Sequence, residues 1–204
     1  MIFISISRKE LEKKFKRNLI GDAAKKLFAV NLFETVTVED IAREAEFGKG
    51  TLYQYFENKE DILVFVLHRG IGEVCDEIKS RCLEEKDVTK SIQELIRVYY
   101  EFLTIYKNLF ISFVRWQIEG SLPSHMVEMV TKRHQEKIGL MCQVVERGIK
   151  EGVLIDVESK LLVQSIERCI NGFNLSFITA DQDADDQEKR IEFIKEILFK
   201  GILS

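Results

Sequence analysis

Residues 37–59, TVEDIAREAEFGKGTLYQYFENK, contain two short helical patterns separated by a turn. Thr37 offers an N-cap oxygen to the first pattern, and Asp40, three residues on, completes a carboxylate variant of the capping box. Residues 46–48, Glu-Phe-Gly, make the turn, and residues 49–56 form the second pattern. Two short helices joined by a tight turn indicate a helix-turn-helix, a motif that places its second helix in the major groove of DNA.

The second helix of this motif has an apolar side and a polar side. Leu52 and Phe56 lie four residues apart and are expected to face inward. Gly48 and Gly50 at its start allow the backbone to come close to a phosphate. The other side has few acidic groups, and we expect these residues to face the groove: Lys49, Gly50, Thr51, Tyr53 and Gln54.

The composition favours a mostly helical globular protein. Hydrophobic residues make up 46% of the chain and charged residues 31%, and the 204 residues include one Pro and 11 Gly. Because Pro and Gly mark turns, a strand-rich chain of this length would need more of them. Apolar residues recur at helical spacing nearly everywhere, and no stretch has sustained strand alternation. We therefore predict an all-α fold.

The charge is unevenly distributed along the chain. The net charge is −4, but residues 1–33 hold eight Lys/Arg against three Asp/Glu, a balance of 8 − 3 = +5. Residues 61–204 hold 19 Lys/Arg against 24 Asp/Glu, a balance of 19 − 24 = −5. A basic N-terminal segment can meet phosphate, although the same charges could form an ordinary solvated face.

Nothing in the sequence indicates secretion or a membrane anchor. The apolar start, residues 1–6, is short and lacks a basic leader. The longest uncharged run, residues 169–180, falls short of the roughly 20 residues needed to span a bilayer. The four cysteines include no CxxC pair, which favours reduced thiols. We expect a cytoplasmic protein that contacts no membrane.

Helical periodicity divides the chain into about nine helices. The first covers residues 8–30, the helix-turn-helix follows, and Asn58 can cap a long fourth helix over residues 59–83. The later helices are predicted at residues 87–106, 109–119, 123–150, 158–179 and 185–203. We predict a three-helix DNA-binding domain at residues 1–58 and a helical C-terminal domain at residues 59–204.

The N-terminal part resembles the TetR family of bacterial transcriptional repressors. The match runs from Arg17 to about Asp61 in four spaced elements: R-x-x-I at 17–20, AA-x-x-LF at 23–28, TVEDIA at 37–42 and KGTLYQYFENKE at 49–60. Several elements agree in order and type, which makes the resemblance specific, and it covers roughly a quarter of the chain. The remainder agrees in length and helical character.

The resemblance implies roles for individual residues. Thr37 would cap the second helix and touch a phosphate, and Tyr55 and Lys59 resemble positions that clamp the DNA backbone. Two residues depart from the family pattern: Glu46 stands where the turn usually carries Gly, and Gly48 where many relatives carry Ser. A left-handed conformation at Glu46 would cost about 1 kcal/mol relative to Gly. Both changes could weaken DNA binding or tune it.

The resemblance also implies a small hydrophobic effector, bound between the fourth to eighth helices of the C-terminal domain. Residues 99–116 hold seven of the 20 aromatic residues, a density that can line an apolar cavity or fill a core. Arg115 or His134 could pair with a polar head group. The candidate pocket residues are Tyr99, Phe102, Tyr106, Phe110, Phe113, Trp116, Met126, Met129, Met141, Phe173 and Phe177.

The last two helices carry apolar stripes that could join two copies of the chain in a four-helix bundle or cover the chain's own core. The candidate dimer residues are Leu161, Ser165, Cys169, Gly172, Ile191, Ile194 and Leu198. A two-fold homodimer would hold two recognition helices about 34 Å apart on a palindromic, double-stranded operator.

The sequence therefore predicts a dimeric repressor that a small hydrophobic effector releases from DNA. A DNA-binding scaffold without an effector, which dimerises or recruits a protein, is the alternative. An enzyme is a third reading, but GxSxG, HExxH and GxGxxG are absent and the three histidines lack ligand or triad spacing. A metal sensor that uses the cysteines or histidines is also unsupported. We expect no catalytic residue, no metal and no cofactor.

Overall fold

The computed structural model describes residues 7–175 and 185–202. Within these ranges the chain forms eight α-helices and no β-strand, which confirms the all-α prediction. The helices are α1 (Arg8–Val30), α2 (Val38–Glu44), α3 (Lys49–Leu52), α4 (Lys59–Glu77), α5 (Val88–Glu119), α6 (Ser124–Lys150), α7 (Ser159–Leu175) and α8 (Asp185–Ile202). A short 3-10 helix, Phe33–Thr35, precedes α2, and a π-helical segment, Ile78–Leu83, extends α4.

The structure differs from the predicted helix count because residues 109–119 continue α5. This helix runs for 32 residues without Gly or Pro, so nothing in its sequence interrupts the backbone hydrogen bonds. It ends before Gly120, whose φ is 68°. Gly152, with a φ of 71°, follows the end of α6 in the same way.

The first helix begins and ends where its sequence predicts, but it buries a different face. Ser7 and Glu10 form a capping box, which satisfies backbone N–H groups without a partner inside the helix. Phe15 and Leu19 belong to the apolar stripe at helical spacing that predicts this helix, but they are 63% and 38% exposed. The buried residues of α1 are Ile20, Gly21, Ala23, Ala24 and Phe28. The core contact of α1 therefore lies in its C-terminal half.

The first and fourth helices pack closely at Gly21. A Cβ added to Gly21 would lie 2.7 Å from Cε1 of Phe65, so a larger residue would force a shift. One turn earlier, the guanidinium carbon of Arg17 lies 4.8 Å from the Phe56 ring centroid and 4.7 Å from the Phe65 ring centroid. These contacts hold the start of α4, and with it the end of the helix-turn-helix, against α1.

The described residues fall into two compact units. Unit 1 contains residues from 1–69 and 106–127, and unit 2 contains residues from 70–105 and 128–204. Helices α4, α5 and α6 each continue from one unit into the other. The predicted boundary between the DNA-binding and C-terminal domains, after residue 58, stays a prediction. No helix in the described part of the chain is long and apolar enough to cross a membrane.

Candidate nucleic-acid interface

The N-terminus of α2 begins the candidate interface. Thr37 accepts a hydrogen bond from the Asp40 backbone N at 3.1 Å, and its hydroxyl donates to Oδ2 of Asp40 at 2.6 Å. The hydroxyl of Thr37, and after it the Thr37 backbone N–H, which donates to Oδ2 of Asp40 at 3.0 Å, lower the pKa of Asp40 and keep its carboxylate charged. The predicted capping box is therefore confirmed. Since the Thr37 hydroxyl already donates to Asp40, a phosphate oxygen would have to replace that carboxylate as its acceptor.

The turn after α2 is a Schellman motif with a left-handed residue. Glu46 has a φ of 58°. Its backbone N–H donates to the Arg43 carbonyl at 3.1 Å, and the Phe47 N–H donates to the Ala42 carbonyl at 2.9 Å. These are the two hydrogen bonds that define the motif. Glu46 therefore adopts the left-handed conformation although it has a Cβ.

The third helix is shorter than the predicted helix at residues 49–56. Regular α-helix ends at Leu52, and residues 53–55 continue as turns, with the Gln54 N–H donating to the Thr51 carbonyl at 3.1 Å. Leu52 and Phe56 are both buried, as predicted. The two buried anchors hold the turns in place, so the segment still presents one side to the core and one to solvent.

The polar side of this segment is open to solvent. Lys49, Gly50 and Gln54 are exposed, Tyr53 is 47% exposed, and Thr51 is half-buried. A Cβ added at Gly50 would meet no other atom within 4 Å. The backbone at Gly50 is therefore open to an approaching DNA backbone or base edge.

An ion pair joins Lys49 to α2. Its ammonium pairs with Glu39 on α2, and the two side chains are 53% and 55% exposed. This hydrogen bond raises the pKa of Lys49 and lowers the pKa of Glu39. Lys49 Nζ also lies 6.0 Å from the Tyr53 ring centroid. Because exposed ion pairs contribute little stability, DNA can compete with Glu39 for Lys49.

The structure gives Lys59 a role other than the predicted phosphate contact. Its ammonium donates to the carbonyl of Phe33 at 2.8 Å and to the carbonyl of Val36 at 2.7 Å. It also lies 4.1 Å from the Phe33 ring centroid. Burial lowers the pKa of Lys59. The charged ammonium of Lys59 therefore binds the backbone inside unit 1 and holds the segment that leads into α2.

The structure adds Lys16 of α1 to the candidate phosphate-facing surface. The carboxylate of Glu12 lies 2.7 Å from Lys16 Nζ and is the main cause that raises the pKa of Lys16. Tyr55 raises this pKa further by its charge. Lys16 is therefore near enough to Tyr55, a predicted backbone clamp, for the two groups to interact electrostatically. The excess of basic residues in 1–33 indicated α1 as a whole, but nothing in the spacing singled out Lys16.

Aromatic contacts hold the segment that precedes α2. The Phe33 ring centroid lies 5.3 Å from that of Phe28 and 4.5 Å from that of Trp116, the second pair edge-on at 82°. Arg115 forms an ion pair with Glu34 in the same segment. Trp116 and Arg115, both considered for the effector site, thus make contacts that support the helix-turn-helix.

The candidate effector residues are divided between the two units. Unit 1 holds Tyr106, Phe110, Phe113, Trp116 and Met126, and unit 2 holds Tyr99, Phe102, Met129 and Met141. Met129 is 39% exposed, whereas the other three in unit 2 are buried. Tyr99 and Phe102 stack with ring centroids 6.3 Å apart. The Phe173 side chain and the whole of Phe177 lie outside the described residues. Their shared use as a pocket stays a prediction.

The candidate dimer residues lie on different sides of their helices. On α8, Ile191, Ile194 and Leu198 are buried within the chain, so they offer no surface to a second copy. The exposed side of α8 instead carries Phe193 and Ile197, which are 52% and 42% exposed. The candidates on α7 are exposed or half-buried: Leu161, Ser165, Cys169 and Gly172.

Potential metal ligands are not grouped in residues 7–175 and 185–202, where no three His, Cys, Asp or Glu side chains are placed to hold a metal ion. Cys75 and Cys82 are buried free thiols, and burial raises the pKa of Cys82 to about 12. A thiol with such a pKa stays protonated at neutral pH and behaves as a small apolar side chain.

The sequence pattern of the bacterial regulatory proteins, tetR family, matches residues 20–65. Residues 20–65 therefore form a segment of the TetR-family type. The matched segment runs from α1 through the helix-turn-helix into α4, so it contains most of the surface described above. The chain is a DNA-binding transcriptional regulator, as its sequence predicted.

Other proteins are similar to this chain along most of its length. The fatty acid metabolism regulator protein of Bacillus subtilis (strain 168) is 24% identical over 177 residues, which cover 85% of this chain and 89% of the relative. A TetR/AcrR-family regulator from Thermobifida fusca YX-ER1 shares the fold with a TM-score of 0.73 and 19% identity, covering 92% of this chain and 98% of that chain. The regulator FadR from Bacillus subtilis in complex with stearoyl-CoA gives a TM-score of 0.70 and 23% identity, covering 91% and 98%.

Proposed function

We propose that this chain represses transcription by binding a palindromic operator as a homodimer, and that a small hydrophobic effector releases it. The exposed polar side of α3, held by buried Leu52 and Phe56, is the observation that carries the proposal. An exposed helix with an open backbone at Gly50 suits the major groove.

The proposed DNA contacts separate into two groups. The groove-facing group is Lys49, Gly50, Thr51, Tyr53 and Gln54, and the phosphate-facing group is Thr37, Gly48, Tyr55 and Lys16. A glutamine amide can bond both N6 and N7 of adenine, and a lysine ammonium can bond guanine O6 and N7. Gln54 and Lys49 are therefore the residues proposed to read bases.

Exposed apolar residues on the last two helices support dimerisation. Leu161 on α7 and Phe193 and Ile197 on α8 are 53%, 52% and 42% exposed. Two helices from each copy would bury these side chains in a four-helix bundle. A two-fold dimer would then place the second α3 about 34 Å away, one turn of DNA from the first.

A long-chain acyl thioester is the first effector to test. The Bacillus subtilis regulator FadR, which shares the fold, was crystallised with stearoyl-CoA. Buried aromatic side chains of unit 2, such as Tyr99 and Phe102, offer the apolar surroundings that an acyl chain needs. An effector that binds one conformation of the dimer more tightly shifts the population away from the DNA-binding form.

Selection of bound sequences from random double-stranded DNA tests the proposal. We expect a palindrome whose half-sites are centred about 10 base pairs apart. The variant Gln54→Ala should change the preferred base at one position of each half-site while it keeps the spacing. Failure to enrich any sequence would contradict DNA reading by this chain. Unchanged operator affinity at saturating stearoyl-CoA would contradict the acyl thioester as effector.

A further inference from the structure

Unit 2 contains a buried ion pair between two helices. Lys137 on α6 donates a hydrogen bond to Oε1 of Glu167 on α7 at 2.6 Å. The two side chains are only 2% and 11% exposed. Removing both charges from water costs more than such a pair usually returns, and two apolar residues of similar volume are often at least as stable. Stability alone therefore does not account for this pair.

The ammonium of Lys137 has more hydrogen-bond donors than acceptors around it. An ammonium carries three N–H donors, and Glu167 is the one hydrogen-bond acceptor that the described residues give it. The rings of Tyr99 and Phe102 lie against it, with centroids 4.4 Å and 5.8 Å from Nζ. A ring face attracts the cation but accepts hydrogen bonds weakly. The ammonium of Lys137 can therefore donate a further hydrogen bond to an acceptor that is stronger than a ring face.

Helices α5, α6 and α7 supply the immediate surroundings of Lys137. Tyr99 comes from α5, and its hydroxyl donates to Oδ1 of Asn171 on α7 at 3.3 Å. Cys75 on α4 lies close enough to influence the pKa of Lys137. An apolar, aromatic environment with a few converging polar groups is the usual composition of a small-molecule site.

The charges in this cluster cancel. Lys137 and Glu167 carry one charge of each sign, and a proton passed between them would leave the sum at zero. Burial, and then Lys137, lower the pKa of His134, so this imidazole is neutral at pH 7. A ligand carboxylate would add a buried charge without a partner, which is unfavourable. A neutral carbonyl oxygen could accept a hydrogen bond from Lys137 and leave the balance unchanged.

We propose that Lys137 donates a hydrogen bond to the neutral carbonyl group of an apolar effector, and that Tyr99 and Phe102 contact the effector beside that carbonyl. The ligand class is an acyl thioester, ester or ketone, and the anion of a free fatty acid falls outside it. This inference rests on the effector part of the proposed function and names the chemical group that the effector site recognises.

Two matched ligand pairs, titrated calorimetrically into the full chain, test the inference. Stearoyl-CoA and S-octadecyl-CoA differ only in the carbonyl oxygen, and methyl decanoate and decanoate differ in charge. We expect stearoyl-CoA to bind about tenfold more tightly than its thioether, the effect of one hydrogen bond to a charged donor. Methyl decanoate should bind more tightly than decanoate. Equal affinities within the first pair, tighter binding of decanoate, or no binding of any of the four would each overturn the inference.

A double variant assigns the effect to Lys137. Since Lys137→Met alone leaves Glu167 buried without a partner, the test uses Lys137→Met with Glu167→Gln, and a cooperative thermal transition verifies that it folds. We expect this variant to bind stearoyl-CoA and S-octadecyl-CoA equally, with the thioether affinity within about threefold of wild type. A double variant that retains the preference would refute the role of Lys137.

Operator release separates this inference from the proposed function. If both CoA compounds release the operator at equal concentrations, the chain responds to acyl chains but Lys137 does not recognise the carbonyl. If neither releases the operator that the chain selects, the effector part of the proposed function fails together with this inference. If stearoyl-CoA alone releases it, both are supported.

Discussion

At the scale of single residues, Lys59 carries a charge of the kind usually found at the surface, but its ammonium binds backbone carbonyls inside the protein. Its ammonium joins the carbonyls of Phe33 and Val36, which lead into α2. We expect Lys59→Met, which keeps most of the alkyl chain, to lower the free energy of unfolding by about 2 kcal/mol, because two buried carbonyls lose a charged donor. Urea denaturation measures this change.

Lys16 is the matched control for Lys59. Its ammonium pairs with Glu12 on the surface of α1. Lys16→Met should leave the free energy of unfolding within about 0.5 kcal/mol of wild type and reduce the salt dependence of DNA binding by about one phosphate contact. The reverse pattern, with Lys59→Met changing the salt dependence and not the stability, would restore Lys59 as a phosphate contact.

A second residue, His134, makes the stability of unit 2 depend on pH. Burial is the larger cause that lowers its pKa, and the charge of Lys137 adds to it. Because the folded state then binds a proton less tightly than the unfolded state, this contribution to stability is complete above about pH 6.5 and is lost as the pH falls below that value.

The variant His134→Gln should therefore lose less stability than wild type between about pH 7.5 and about pH 5.5. Denaturation with urea at the two pH values provides the comparison. His125 is exposed, so His125→Gln is a control that should follow wild type. An equal loss in wild type and His134→Gln would show that another group causes the pH dependence.

At the scale of elements, the turn between α2 and α3 combines backbone strain with an unfavourable charge. Glu46 has a φ of 58° and is exposed. We expect Glu46→Gly to raise the free energy of unfolding by about 1 kcal/mol, because Gly adopts the left-handed conformation without a Cβ clash. Thermal or urea denaturation tests the stability, and titration with operator DNA at low salt tests the charge.

Glu46→Gln separates these two effects. It removes the negative charge and keeps the strained Cβ, so the free energy of unfolding should stay near that of wild type. Both substitutions should raise the affinity for DNA at low salt, and the gain should shrink as salt increases. Equal stability of the Gly and Gln variants would mean that the left-handed conformation does not limit this turn.

At the scale of the whole molecule, the exposed apolar side of α8 should decide the oligomeric state. Phe193 is 52% exposed. We expect Phe193→Glu to give a monomer in analytical ultracentrifugation and to lose most of its operator affinity, because a buried charge opposes the helical bundle and one recognition helix holds DNA weakly.

Ile118 provides the control at this scale, since it is 82% exposed and belongs to unit 1. Ile118→Glu should sediment like wild type. If the Phe193→Glu variant remains a dimer and the Ile118→Glu variant is a monomer, the dimer interface is not on α8.

The sequence alone determined features that depend on neighbouring residues. The ends of α1 and the capping box of Thr37 and Asp40 were predicted and are present in the structure, and the left-handed conformation considered at Glu46 is present as well. Each depends on hydrogen bonds or steric limits among residues within about five positions of one another. The spacing of residues in the helix-turn-helix, which resembles that of a known family, can likewise be recognised from the sequence alone.

Tertiary structure decided which side chains form long-range hydrogen bonds or ion pairs and which are buried. The carbonyls that hold Lys59 are 26 and 23 residues away, and Glu167 is 30 residues from Lys137. Helical periodicity placed Ile191 and Phe193 on α8 but did not determine which would be buried. A sequence pattern gives the local faces of a helix, whereas burial and ion pairing depend on which distant segments pack against those faces.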